Sequence, residues 1–151
     1  MSLVIDASVF NKLFLNEPDR PQAQALFRAA IEQDVPRLAP QILLYEALSS
    51  ALHYGTDFEA VLKLLNTQRD AGMRLLEPDE ATLIRAQEIT TSGHPKSGHP
   101  GLDDSIYHAL AIETDSVFVT ADSKHLAKTK AFGNAVHLSD WESLDCFAVD
   151  E

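Results

Sequence analysis

Acidic side chains recur in this chain at points where strands and helices could aim them at one another. Asp6 ends "LVID", Glu46 lies within "LLYEALSSAL", Asp103 and Asp104 adjoin in "GHPGLDDSIYHALA", and Asp122 follows "VFVTA". Two unit charges about 4 Å apart repel by about 4 kcal/mol at an effective dielectric of 20. Carboxylates that face each other therefore take up protons more readily or recruit cations. With a lone cysteine and no spaced histidine pair, the donors are oxygens, which suit a hard ion such as Mg²⁺ or Mn²⁺. Each acid also has a plainer reading. Asp6 and Asp122 suit helix caps, Asp104 complements a helix dipole, and Glu46 suits a solvated helix face. The doubled aspartate allows both uses, one carboxylate supporting the helix start while the other reaches an ion. Helical periodicity does not sort the pair.

The elements that would position these acids can be read from the apolar pattern. Leu3-Val4-Ile5 is a buried strand stopping at Asp6, and Ala7 to Leu15 reads as a helix. Pro21 starts a second helix, and Pro40 is placed as the first residue of a third, running to about Tyr54. In that third helix Leu44, Leu48, Ala51 and Leu52 form one stripe, and Glu46, Ser49, Ser50 and His53 another. Thr56 to Glu59 has capping-box spacing, with Phe58, Val61, Leu62 and Leu65 inward. Met73 to Leu76 reads as a strand, and Asp79 caps a helix reaching Thr91. After a Gly- and Pro-rich loop, a helix from Asp103 to Glu113, a strand at Val117 to Val119, a short helix from Asp122 to Lys130 and a strand at Val136 to Leu138 follow. Strands alternating with helices indicate a single α/β domain with a mostly parallel central sheet flanked by helices. Such sheets collect ligands at the carboxyl ends of their strands, where Asp6 and Asp122 fall. The domain is expected over residues 1–140, with 141–151 as a partly loose acidic tail.

Composition sets outer limits. The 151 residues, 23% charged and 45% hydrophobic, suit one globular domain, and no apolar run approaches a membrane span or a signal peptide. Cys146 is alone, which excludes an internal disulfide, and a cytoplasmic location is expected. The formal net charge of −11 argues against broad adhesion to nucleic acid or anionic membranes and leaves only local phosphate contacts. Lys124, Lys128 and Lys130 form one basic strip beside Asp122, readable as a phosphate track or as a solvated face. His94 and His99, in "TSGHPKSGHP", read as residues of exposed turns rather than as ligands.

Four segments in register, "VIDASVF", "LLYEALSSAL", "DSIYHALA" and "VFVTADSKHL", resemble the PIN-domain family and within it the VapC-like toxin branch. The resemblance runs from residue 3 to about 140. It matches Asp6, Glu46 and Asp122 to family acids and places the third on Asp104, through the pattern D-x-x-Y-x-A-L-A. It implies a Mg²⁺- or Mn²⁺-dependent ribonuclease, held inactive by a cognate antitoxin and commonly dimeric. In that reading Asp6, Glu46, Asp104 and Asp122 ligate metal, and Ser8 and Thr120 hydrogen-bond the ligands from behind. Asp103 is left as a further ligand, a supporting group or a cap.

Other acid-bearing α/β folds fit less well. A haloacid-dehalogenase-like phosphatase needs a second aspartate where Ser8 stands, and a receiver domain needs its acidic pair after the first strand. Two rivals keep the fold: a catalytically silent protein-binding module, and an RNA-processing nuclease outside the toxin branch.

Overall fold

The computed structural model describes residues 1–148. Five short strands, β1 (Leu3–Ile5), β2 (Arg37–Pro40), β3 (Met73–Leu76), β4 (Val117–Thr120) and β5 (Ala135–His137), form one sheet in the order β3-β2-β1-β4-β5. Every pairing is parallel, with Leu3 opposite both Arg37 and Val117. Parallel neighbours cannot be joined by tight turns, so each crossover needs a longer connection, and these carry the helices. β1 and β4 are covered on both faces, which is why Leu3-Val4-Ile5 and Val117-Phe118-Val119 read as unbroken apolar runs; β2 is buried too, although it carries Arg37. From β1 the sheet grows first through β2 and β3, then on the other side through β4 and β5. The order of growth reverses between β1 and β4, and at such a point the loops diverge and leave a crevice.

The helices are α1 (Ala7–Phe10), α2 (Arg20–Glu32), α3 (Ile42–His53), α4 (Phe58–Asp70), α5 (Glu80–Ser92), α6 (Leu102–Glu113) and α7 (Ser123–Lys128). Buried along α6, Tyr107, Leu110 and Ala111 join the main core, and the helix packs across β1, β2 and β4 with α5 against its outer side. Phe10, Leu26, Leu43, Phe118 and Leu138 are wholly buried around the sheet. No described helix is long and apolar enough to cross a membrane.

Several elements differ from the sequence reading. The helix expected to reach Leu15 tightens after Phe10 into a 3₁₀ turn over Asn11–Leu13. Pro40 ends β2 instead of starting α3. It lies beyond the two residues of β2 that pair with β1, so its missing N–H interrupts nothing there. Asp57, not Thr56, caps α4, accepting from the Ala60 amide at 3.1 Å. Only Val61 and Leu65 of α4 are buried, because the helix touches its neighbours along one narrow stripe; Phe58 and Leu62 remain exposed. Leu52 is exposed as well, since the buried line of α3 is Leu43, Ala47 and Ala51.

The acidic segment after residue 140 is not loose over its described part. Residues Leu138–Ser143 and Asp145–Phe147 form 3₁₀ turns, and Leu144 and Phe147 join the main core. Three residues per turn stack positions i and i+3. Leu138, Trp141, Leu144 and Phe147 therefore fall on one side, and the Trp141 and Phe147 rings meet edge to face at 5.2 Å. The globular unit thus continues past residue 140, to Ala148. Residues 149–151 of the expected tail lie outside the described residues.

Candidate active site

Asp6 leaves β1 at the reversal point and is almost wholly buried. Although it holds the N-cap position of α1, it makes no capping bond. Its Oδ2 instead accepts from the Ser8 hydroxyl at 2.6 Å and the Thr120 hydroxyl at 2.7 Å. Those two oxygens in turn accept from the backbone amides of Ala121 and Asp122. The ends of β1 and β4 are therefore laced together through one carboxylate. Burial raises the Asp6 pKa; the Ser8, Thr120 and Ala7 bonds oppose this, and the nearby Asp122 charge adds to it.

Asp122 does cap its helix. Its Oδ1 accepts from the amides of Lys124 and His125 at 3.0 and 3.1 Å. Glu46, part-way along α3, accepts at Oε1 a hydrogen bond from the hydroxyl of the fully buried Tyr107, at 2.6 Å. Burial raises the Glu46 pKa, the Tyr107 bond lowers it, and the charges of Asp6 and Asp103 raise it again.

The adjacent aspartates separate. Gly101 is the N-cap of α6, so neither of them caps it. Asp103 is exposed, whereas Asp104 is partly buried. The Asp104 pKa is pushed up to about 6, first by burial and then by the charges of Asp6, Asp122, Glu46 and Asp103. One carboxylate thus senses the other three family-matched acids at once, which makes the four a single electrostatic cluster.

Helix α6 also braces the elements that carry the other acids. Tyr107 reaches Glu46 on α3, and His108 reaches His125, three residues beyond Asp122. A carbonyl can only accept, so His108 Nε2 donates to Gly133 O at 2.6 Å. Burial lowers the His108 pKa, and its free Nδ1 then accepts from His125 Nε2 at 3.1 Å. The His125 pKa is pushed down to about 4, mainly by burial. Both rings are therefore neutral at pH 7. Sequence reasoning missed the bracing roles of Tyr107 and His108. The available signal was their i+3 and i+4 spacing from Asp104, which sends one helical face toward two acid-bearing elements.

The remaining candidates are also located. Lys124 and Lys130 are exposed and Lys128 half-buried, all on or just beyond α7. His94 is occupied within its turn, Nδ1 accepting from the amides of Lys96 and Ser97, and His99 Nδ1 meets Thr90 O at 3.1 Å. These contacts give both histidines a turn-shaping role. Among the described residues, no three acidic, histidine or cysteine side chains stand close enough to enclose one ion. The donor chemistry nevertheless fits a hard divalent cation. The donors are carboxylate oxygens, half-buried or deeper, whose mutual repulsion such an ion would relieve.

The sequence matches the family model of the PIN domain over residues 3–131. The chain belongs to the PIN domain family. Members are generally metal-dependent nucleases, typically using Mg²⁺ or Mn²⁺, which places this chain among the nuclease-type hydrolases. No curated protein matches it. Among solved structures, it is similar to a PilT N-terminus domain protein from the hyperthermophilic archaeon Sulfolobus solfataricus P2. That match has 17% identity and a TM-score of 0.49, and covers 95% of this chain and 92% of the other.

Proposed function

We propose that this PIN domain is a divalent-metal-dependent endoribonuclease and the toxin of a toxin–antitoxin pair. The observation that carries the nuclease reading is the half-buried placement of Asp104 at the start of α6 among Asp6, Glu46 and Asp122, whose charges together with burial push its pKa up. Asp6, Glu46, Asp104 and Asp122 would hold Mg²⁺ or Mn²⁺, which when bound supplies a polarised phosphodiester and a more acidic water. The rest is work for the chain. Ser8 and Thr120 fix the Asp6 carboxylate, Tyr107 fixes Glu46, and the α7 cap fixes Asp122, so three acids are oriented before substrate arrives. Asp103, exposed at the cluster's rim, shapes the field without being enclosed. Lys124, Lys128 and Lys130 supply the local positive charge that a chain of net charge −11 needs to hold a phosphate backbone.

The toxin assignment extends the VapC-like pattern of the four segments, and it brings a cognate antitoxin, a homodimer and a cytoplasmic site of action. Exposed apolar side chains on α3 and α4, among them Tyr45 at 64% and Leu52 at 67% exposure, support a protein partner on that side. Inducing the chain alone in a bacterial host tests this reading. Growth arrest with new RNA ends, absent when Asp104→Asn is induced, is the expected result. Normal growth with the wild-type chain soluble and folded would contradict the toxin role.

A further inference from the structure

Beside the acid cluster, between α7 and β5, runs a groove of about 600 Å³, within the size range of small-ligand sites. Ser123, the residue after Asp122, is part of its lining. His137 lines it, with Nε2 against Ala121 O at 3.3 Å and Nδ1 accepting from the Ser139 amide at 3.1 Å. Both ring nitrogens are thus engaged by the protein, which fixes the ring as a flat platform. Leu126, Ala127 and Val136 supply apolar lining. The two walls differ in charge: Lys130 stands on the side of α7, and Asp140 on the side of the 3₁₀ turn that follows β5.

We propose that this groove is a nucleobase subsite, receiving one unpaired nucleotide next to the scissile phosphate and preferring bases with an exocyclic amino group. The proposal rests on the nuclease reading and adds to it where a base beside the cut is held and which bases are preferred. A base in this groove has left its stack, which a duplex resists and a loop or single strand permits. Apolar lining and a pinned ring suit its faces. Lys130 on one wall suits an attached phosphate, with Lys124 and Lys128 on the preceding α7. A carboxylate such as that of Asp140 accepts hydrogen bonds from a base's amino group. Cytosine offers it an N4 amino group, whereas uracil presents O4 and sets two acceptors against each other. The open edge of β5 would also admit an extended peptide, but that occupant has no use for Lys130 or for proximity to Asp122.

Fluorescence anisotropy of labelled oligocytidylate and oligouridylate, with Ca²⁺ replacing Mg²⁺, tests the subsite. The wild-type chain is expected to bind the cytidylate about tenfold more tightly. Asp140→Asn, an isosteric change at an exposed residue, should reduce that preference to near unity. Ala127→Trp fills the groove and should weaken both RNAs about tenfold at an unchanged melting temperature. Should Ala127→Trp fail to fold, Asp140→Asn alone decides. Wild-type RNA binding that neither variant alters would overturn the subsite and assign the groove to a protein segment. Cleavage of a mixed RNA pool separates the two failures. A chain that cuts RNA but shows neither variant effect loses only the subsite; one that neither binds nor cuts loses the nuclease reading too.

Discussion

At neutral pH Asp104 is held ionised against its surroundings. The folded chain binds its proton more tightly than the unfolded chain does, so ionisation costs stability as pH rises from the ordinary value of 3.8 to about 6. Asp104→Asn removes that cost but also a favourable charge in the first turn of α6. In metal-free urea titrations the variant is expected to be more stable than wild type by about 1 kcal/mol at pH 7, after discounting for solvent screening, and no more stable at pH 4. Mg²⁺ should stabilise the wild type and not the variant. Equal stability of the two chains at pH 7, with and without Mg²⁺, would contradict the cluster. Tyr107→Phe removes only the hydroxyl that holds Glu46. Its kcat should fall about tenfold, as for loss of one oriented hydrogen bond, while its melting temperature stays close to wild type. At this scale the sequence offered candidates and was silent about geometry. Periodicity did not sort the pair and the resemblance to the family pattern implied Asp104; the fold places Asp103 in solvent and Asp104 among charges. No pattern in the chain signalled that Asp6 would decline its cap and Asp122 accept one.

The elements matter through where they begin. Helix α6 starts after the turn at residues 93–101, so its first turn delivers Asp104 only if that turn keeps its shape. Gly93 has φ of +55°, and a Cβ there would stand 2.5 Å from the His99 ring. Gly93→Ala is therefore expected to cost about 1–3 kcal/mol and to weaken Mg²⁺ stabilisation, read by thermal unfolding with and without the ion. Unchanged stability would mean the turn adapts freely. The strand Met73–Leu76 and the helix capped by Asp79 were legible because apolar run and capping residue agree. Pro40 misled because proline suits both a helix start and a strand end; only pairing with Leu76 decides it. Phe58 and Leu62 misled because periodicity shows which face is apolar but not how much of it a neighbour covers.

Across the whole molecule, the parallel α/β class followed from alternating elements, although the fifth strand, Arg37–Pro40, was not read as one because Arg37 and Pro40 interrupt its apolar pattern. The strand order could not follow, since the four short apolar runs are nearly interchangeable. That order sets β1 beside β4 and so brings residue 6 to residues 120 and 122. The C-terminal turns close the same core. Leu144→Ala should destabilise the fold by about 2–4 kcal/mol in urea unfolding, whereas a loose tail would show no change. The central claim is that the four acids make a metal-dependent nuclease site with Asp104, not Asp103, inside it. Cleavage of a mixed structured RNA pool in Mg²⁺, in Mn²⁺ and in EDTA tests it most directly, with wild type, Asp104→Asn and Asp103→Asn side by side. Metal-dependent cuts by wild type and Asp103→Asn that vanish in Asp104→Asn are predicted. Cuts that persist in Asp104→Asn, or no cuts by a folded wild type with either metal, would contradict it.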